Sequence, residues 1–430
     1  MRNSLLISLG KTTAAVSKVL NKGNGSTWPG HIALTANKNF IKHILKNSKT
    51  KIIFVAGTNG KTTTASLINT LLTQAGYKTF QNNSGANLLN GIASTMLLHS
   101  SLSGTLNYDF GIFEIDENTL PLAIQEATPD YMILLNLFRD QLDRYGEVNT
   151  IAAKWKAALS NLPKTSSIIL NADDPQIAYL GNNLSDKTYY FGLDDKKLDQ
   201  KQLSDAVDSI YCPNCGNKLT YTTIYFSHLG IWSCSKCKEK RPKITLDTAT
   251  YPLPGTYNRY NTLAAVLTAQ QIGIEKSMIE KGLKNFSPAF GRQELIRKNG
   301  RMFQIFLSKN PTSFNESLRT VTQLGAKYLL LVLNDRIPDG RDVSWIWDVD
   351  FEKFLTDTMH IRVSGDRAYD MALRLKYAHP AVKHIDTHSL LDRAFPDIVK
   401  SIPEGETLYI LPTYSAMLEV RKLLTGKKIL

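Results

Sequence analysis

The stretch KIIFVAGTNGKTTTASLINTLL, residues 51–72, constrains the fold more than any other part of the chain. Ile52 to Val55 is an unbroken β-branched and aromatic run, which reads as a buried strand. Gly57, Thr58, Asn59 and Gly60 form a tight loop, and Lys61, Thr62 and Thr63 open a helix that continues through Leu72. A strand, a glycine loop and a helix start, in that order, suit phosphate binding. The glycines let backbone N–H groups turn inward, the helix N-terminus offers the positive end of its dipole, and the lysine reaches the terminal phosphates. Thr62 would supply a hydroxyl to magnesium. A strict Walker loop begins with glycine at position 55, where this chain has valine.

The rest of the pattern agrees with an α/β fold. At 430 residues the chain is too long for one core, so two or three domains are expected. Residues 1–48 form a polar, Lys-rich lead-in with two helical stretches. From Lys51, short apolar runs alternate with helical segments, which indicates a largely parallel sheet. A central unit is assigned to 49–298, with a Cys-bearing insertion at 208–243, and a second α/β unit to 299–430. The second unit has apolar strands at Tyr328–Leu333 and Thr407–Leu411.

A formal net charge of +13 favours anionic partners: nucleotide phosphates, nucleic acid or anionic lipid head groups. A solvated basic surface fits the charge equally well. No apolar run reaches the ~18 residues that span a bilayer. Met1–Leu20 lacks the long apolar segment of a secretory signal, so a cytoplasmic location is expected. It reads as an amphipathic helix lying on the protein or on a membrane surface.

A second strand, Tyr108–Ile115, delivers Glu114 and Asp116 at its end, within YDFGIFEIDEN. Alternation puts both carboxylates on one face. Near a phosphate loop, such a position suits magnesium; spacing alone leaves a solvated acidic loop open.

The four cysteines pair as Cys212-Pro-Asn-Cys215 and Cys234-Ser-Lys-Cys237, two CxxC knuckles eighteen residues apart. This is zinc-ribbon spacing. Four thiolates close a tetrahedral site, so the zinc would be structural. Zinc ribbons also bind nucleic acid, which keeps a nucleic-acid-binding module among the alternatives.

The GTNGKTT loop, a strand ending in Glu114, the segment LLNLFRDQLDRYGEVNT, Lys154 and Asn171-Ala-Asp173-Asp174-Pro follow one another here. LPGTYNRYNTLAA at 253–265 and GRQE at 291–294 come next. This order resembles the Mur ligases, and the loop itself is shared with folylpolyglutamate synthases. The zinc insertion narrows the likeness, as do NDRIPDGRDVSWIWDVDFE at 334–352, SGDRAYDMALRLKYA at 364–378 and LPTYSAML at 411–418. Together they resemble the MurT family, the Mur ligase-like subunits of lipid II isoglutaminyl synthase. Two positions depart from the Mur pattern: Asp140-Gln141 replaces an Asp-His pair, and Tyr257-Asn258 replaces His-Asn.

The resemblance implies a Mur ligase-type central ATPase domain with a zinc ribbon, then a Rossmann-like C-terminal domain. ATP and Mg2+ would be the cofactors, with structural Zn2+ on Cys212, Cys215, Cys234 and Cys237. Gly57, Thr58, Asn59, Gly60, Lys61, Thr62 and Thr63 would hold the triphosphate, and Thr62 with Glu114 the magnesium. Asn171 and Asp173 would approach the base or ribose, Asn261 and Arg292 the adenine and phosphates. Lys154 matches a lysine that is carbamylated in many Mur ligases; an ordinary surface lysine is the alternative. The implied reaction is amidation of the D-glutamate α-carboxylate of lipid II, through an acyl phosphate, to D-isoglutamine. Ammonia would come from a GatD-type glutaminase partner, because that enzyme needs a cysteine nucleophile and all four here are assigned to zinc. Asp348 is the position assigned to completing the partner's Cys–His pair, with Asp350 and Asp342 as competitors. No nucleic acid is expected, and contact with the inner face of the membrane would follow from the lipid substrate. A ligase that adds an amino acid instead of ammonia is the main alternative.

Overall fold

Apolar strands without polar alternation need cover on both faces, and the chain meets that need twice. The computed structural model describes residues 2–19, 27–82, 85–139, 148–182, 184, 186–203, 207–247, 249–288, 291–378 and 385–426. The first sheet contains β1 (Lys51–Ala56), β2 (Thr79–Gln81), β3 (Phe110–Ile115), β4 (Tyr131–Leu134), β5 (Ser167–Asn171) and β6 (Thr188–Phe191). Its order is β2-β3-β1-β4-β5-β6, and every pairing is parallel. The chain leaves β1 toward one edge and returns to build the other. The loop after β1 therefore sits where the strand order reverses, the place where open α/β sheets form a crevice.

Ten helices flank this sheet among the described residues. They are α1 (Arg2–Val19), α2 (Trp28–Ala36), α3 (Phe40–Lys46), α4 (Lys61–Gln74) and α5 (Leu89–His99), then α6 (Leu120–Glu126), α7 (Val148–Leu159), α8 (Pro175–Leu180), α9 (Thr256–Ile272) and α10 (Lys276–Lys284). Alternation along β1 divides the core. Ile52, Phe54 and Ala56 join the layer containing Phe113 and Trp155, whereas Ile53 and Val55 face Ile68 of α4 and Leu263 of α9. The lead-in holds three helices instead of two. Asn37 separates α2 from α3 by accepting the Asn39 N–H on its side chain (3.1 Å) and the Phe40 N–H on its carbonyl (3.0 Å), a local bond that competes with helix continuation.

The Cys-bearing insertion contains an antiparallel pair, β7 (Thr220–Phe226) and β8 (Leu229–Ser233). It is anchored beside β5: Trp232 Nε1 donates to the Ala172 carbonyl at 3.0 Å, and Gly230 N to the Asp173 carbonyl at 3.0 Å.

The second sheet comprises β9 (Arg292–Lys298), β10 (Arg301–Phe306), β11 (Tyr328–Val332), β12 (His360–Ser364), β13 (Ile385–His388) and β14 (Thr407–Pro412). Its order is β13-β12-β11-β14-β10-β9, parallel except for β9 against β10. It carries α11 (Pro311–Gln323), α12 (Ala368–Ala378), α13 (Leu391–Lys400) and α14 (Tyr414–Thr425). Arg292–Lys298 thus belongs to the second sheet, and the division placed at 298/299 falls inside a hairpin. Asn299 (φ 49°) and Gly300 (φ 69°) are its two turn residues, the pair that a left-handed two-residue turn requires.

Candidate nucleotide and carboxylate site

The phosphate loop is held from behind by the end of β4. Asn136 accepts the Asn59 N–H at 2.9 Å, donates to the Asn59 carbonyl at 3.0 Å, and accepts the Thr58 N–H on its own carbonyl at 3.0 Å. Two glycines have no substitute here. A Cβ on Gly57 (φ 146°) would lie 2.9 Å from Leu135 Cβ, and one on Gly60 (φ 91°) would lie 2.1 Å from Asn261 Oδ1. Asn261 reaches in from α9, so a helix nearly two hundred residues later shapes the loop.

The front of the loop faces carboxylates. Lys61 Nζ lies 2.6 Å from the Gly57 carbonyl, 3.2 Å from that of Thr58 and 3.2 Å from Glu117 Oε2. Burial alone would raise the Glu117 carboxyl, but Lys61 and Lys309 outweigh it and hold Glu117 below its ordinary range. Thr62 Oγ1 donates to Glu114 Oε2 at 2.6 Å, and Gly85 N donates to Glu114 Oε1 at 3.1 Å. A hydroxyl and a carboxylate this close beside a phosphate loop form a hard oxygen pair that fits a magnesium ion.

Two chambers open on either side of Gly60. The polar one, about 1070 Å³ with its mouth, is bordered by Lys61, Thr62, Glu114, Asp116, Glu117, Arg292, Lys309 and Tyr414. The other, about 580 Å³, is walled by Phe226, Tyr257, Phe306 and Leu307. Asn59 Nδ2, Gln293 Oε1 and Glu316 Oε2 are buried at this second chamber without hydrogen-bond partners among the described residues. Buried polar atoms are ordinarily paired, so unmet donors and acceptors in an aromatic pocket suit a heterocyclic base. Burial raises the Glu316 carboxyl, and Arg319, paired with its other oxygen at 2.9 Å, only partly offsets this. Arg292 borders both chambers. Desolvation lowers its pKa, against the opposing charge of Glu114.

The residues named from sequence are not all gathered at this cleft. Thr58, Asn59, Gly60, Lys61, Thr62, Thr63, Glu114, Asn261 and Arg292 border its chambers, and Gly57 lies just behind, touching the cleft only through its carbonyl on Lys61 Nζ. Asn171 and Asp173 border neither chamber. Asn171 Nδ2 donates to the Leu135 carbonyl at 2.9 Å, and Asp173 is fully buried, bonded to Arg241 (2.6 Å), Tyr260 (2.7 Å) and Leu193 N (2.9 Å). Burial outweighs those bonds and raises Asp173 to about 6. Lys154 is exposed on α7, 3.4 Å from Asn118 Oδ1, one residue past Glu117. Asp140 and Gln141 lie outside the described residues.

Glu117, Lys309, Gln293 and Glu316 went unnamed in the sequence reading. Glu117 stood in EIDEN as a third acid. Lys309 directly precedes a capping box, in which Asn310 Oδ1 accepts the Ser313 N–H at 2.8 Å at the start of α11. Asn310 Nδ2 also reaches Asn59 Oδ1 at 3.3 Å, tying the second sheet's helix to the phosphate loop.

On the second sheet, Asp348 ends a short helical turn, Ser344–Asp348, and is exposed. Asp350 is buried and 3.2 Å from Lys353 Nζ, and Asp342 caps the Ser344 N–H at 2.8 Å. Trp347 (51% exposed), Tyr369 (71%) and Tyr377 (69%) stand around this turn and α12.

The sulfurs of Cys212, Cys215, Cys234 and Cys237 lie within 4.8 Å of one another, with Cys212–Cys237 and Cys215–Cys234 at 3.5 Å. Zinc–thiolate bonds of ~2.3 Å in a tetrahedron put sulfurs about 3.8 Å apart, so the set fits zinc. Backbone N–H donation, chiefly from Cys237, brings Cys234 down to about 6, whereas burial pushes Cys212 up to about 12.

Comparison with known proteins agrees with this arrangement. The Mur ligase middle domain family matches residues 55–269, and the MurT ligase C-terminal family matches 307–417. The MurT subunit of lipid II isoglutaminyl synthase from Staphylococcus aureus (strain COL) is 34% identical, with 89% of each chain covered. Its counterpart from Streptococcus pneumoniae is 32% identical, covering 95% of this chain and 94% of the relative. The MurF ligase of Thermotoga maritima, solved with ADP, shares the fold at a TM-score of 0.62 and 14% identity, with 90% of this chain and 83% of that one covered. An α/β Mur ligase architecture, a zinc-fitting insertion and a second sheet of the MurT type thus occur in one chain, which belongs to the MurT family of Mur ligase-like subunits.

Proposed function

We propose that the chain is the ligase subunit of a lipid II isoglutaminyl synthase, activating the D-glutamate α-carboxylate of lipid II for amidation. The observation that carries this reading is the polar chamber. Lys61, Lys309 and Arg292 line it together with Glu114, Asp116 and Glu117, beside the phosphate loop.

A carboxylate is a poor electrophile because oxide is a poor leaving group. The carboxylate oxygen attacks the γ-phosphorus of ATP, the bond to the β-phosphate oxygen breaks, and ADP leaves. Ammonia then attacks the acyl carbon and expels phosphate, and a proton is released as the amide forms. Lys61 follows the γ-phosphoryl, and Arg292 and Lys309 offset charge on it and on the incoming carboxylate. Glu117 positions Lys61. Magnesium, held by Thr62 and Glu114, would shield the phosphate oxygens. The aromatic chamber takes the adenine, with Asn59, Gln293 and Glu316 meeting its edge. Zinc on the four cysteines fastens the insertion whose Phe226 forms one wall of that chamber.

The ammonia source is a GatD-type glutaminase seated on the second sheet's aromatic face. Asp348 is exposed next to Trp347, whose ring lies 5.8 Å from that of Tyr377, whereas Asp350 and Asp342 are engaged within the chain. An exposed aspartate would orient the partner's histidine.

Mass spectrometry of lipid II after incubation with ATP tests the reading. The chain with the glutaminase and glutamine should convert carboxylate to amide, and ammonium should replace both glutamine and partner. Ligation of an amino acid in place of ammonia would overturn the proposal.

A further inference from the structure

The positive charge is not spread over the chain. From Met1 to Tyr108 there is no Asp or Glu, against eleven Lys and Arg; beyond Tyr108 the 51 basic residues fall to 40, against 38 acidic ones. One quarter of the sequence therefore carries eleven of the thirteen net charges. This quarter begins with a helical hairpin whose inner side is already satisfied. On α1, Leu6, Ile7, Gly10 and Ala14 are buried. Gly10 packs so closely that a Cβ there would lie 2.7 Å from Leu97 of α5, and one on Gly30 of α2 would lie 2.0 Å from the Asn90 carbonyl. Gly30 N donates to Ser94 Oγ at 2.7 Å, and Lys11 Nζ to the Ser100 carbonyl.

The outer side has no such use. Leu5 (71% exposed), Leu9 (49%) and Val16 (49%) recur at helical spacing on the opposite stripe of α1. Asn37 Nδ2 donates to Asn3 Oδ1 at 3.0 Å, which makes α2 antiparallel to α1. Trp28 (68% exposed) therefore stands at the Val16 end of the hairpin, and exposed Lys38 at the Leu5 end. Lys46 and Lys49 follow on and after α3, exposed, together with Lys42, which pairs with Glu126 at 3.4 Å. No helix among the described residues is long and apolar enough to cross a membrane.

We propose that this hairpin is a docking face for a bilayer containing anionic phospholipid, with Leu5, Leu9, Val16 and Trp28 entering the head-group boundary. Charge complementarity selects a lipid surface over a protein. Around the aromatic face of the second sheet the charges are paired, Arg374 with Glu352, Arg336 with Asp366 and Arg367 with Asp370, so that face offers no comparable excess of positive charge to acidic lipid. The hairpin has no acid in its sequence to repel it. Exposed aliphatic and indole groups insert at the boundary while nearby lysines meet the head groups. The inference stands apart from the ligase reading, because nothing in it involves the cleft.

Sedimentation of the full chain with vesicles tests the proposal. Binding to vesicles of phosphatidylglycerol and phosphatidylcholine should exceed binding to pure phosphatidylcholine by at least about tenfold, and should weaken as salt rises. Leu9→Glu with Trp28→Ser should cut binding about tenfold, with melting temperature and ATP hydrolysis unchanged. Trp347→Ser serves as the control and should leave vesicle binding intact. Equal binding to both vesicle types, or binding indifferent to the hairpin substitutions, would overturn the proposal. So would a hairpin variant that loses self-association, glutaminase binding or retention on DNA while keeping its vesicle affinity.

Discussion

At the carboxyl end of β1 the first sheet ties Thr58 and Asn59 back to Asn136 and leaves Gly60, Lys61 and Thr62 beside an open chamber. At the carboxyl ends of β11, β12 and β14 the second sheet ties its loops to one another. Asn334 N donates to Thr413 Oγ1 at 3.0 Å, Asn334 Nδ2 to Ser415 Oγ at 3.0 Å, and Asp366 N to Asn334 Oδ1 at 3.0 Å. Asp339 accepts the Ser415 N–H at 2.8 Å. Both sheets are built by parallel crossovers, and both therefore have an edge where a crevice opens. In one, the loop is braced from behind while the helix start and its facing carboxylates border an open chamber and define a reactive site; in the other, the edge groups bond inward and make a rigid platform, with its exposed aromatics elsewhere. Topology offers the position, and the residues at the edge decide its use.

If that division holds, substitutions on the two sheets separate two activities. Lys61→Ala should lower amidation at least about 10³-fold with either glutamine or ammonium as nitrogen source, because charge at the transferring group loses its counterion in both. An equal loss confined to the glutamine reaction would break the comparison. Asp348→Asn should lower glutamine-dependent amidation about 10²-fold and leave the ammonium reaction unchanged. Loss of both would place Asp348 in the cleft's chemistry and erase the distinction.

The zinc-fitting insertion sharpens the comparison within the first sheet. Cys234→Ser should destabilise the chain by about 2 kcal/mol in thermal unfolding and remove one bound zinc by elemental analysis. Acid should also act at this sheet's phosphate loop. Glu117 lies below its ordinary carboxylate range, so the stability from its pairing with Lys61 is fully present above about pH 4.5 and lost as pH falls through the lowered value. Glu117→Gln should flatten that part of the stability–pH curve. The smallest effect concerns the two knuckles. Gly216 (φ 71°) follows Cys215, and Lys238 (φ 65°) follows Cys237 in the same left-handed turn. Lys238→Gly should stabilise by at most about 1 kcal/mol in denaturant titration.

What could be read from sequence was what sits close together in it. The strand–loop–helix of residues 51–72, the strand ending at Glu114 and the two knuckles each form a local unit, and each lies in the structure as a local unit. Gln293 and Glu316 join the second chamber only because β9 and α11 fold back against the phosphate loop, which no local pattern encodes. The Asn299-Gly300 pair is a hairpin signal legible in the sequence, and it puts the 298/299 division inside the β9–β10 hairpin. Asn171 and Asp173 show the reverse. Their placement near the base rested on resemblance, and their side chains are engaged behind the loop with Leu135, Arg241 and Tyr260.

Arg292 is the first residue of the second sheet, yet it borders both chambers beside the phosphate loop of the first. Any rotation of the platform must carry that cation with it. Nucleotide occupancy and the attitude of the platform are therefore linked quantities, and linkage is reciprocal. Whatever binds the platform and tightens nucleotide must itself be tightened by nucleotide by the same factor, and Arg292 carries that linkage together with Lys309, Gln293 and Glu316, which the same sheet and its helix bring to the chambers.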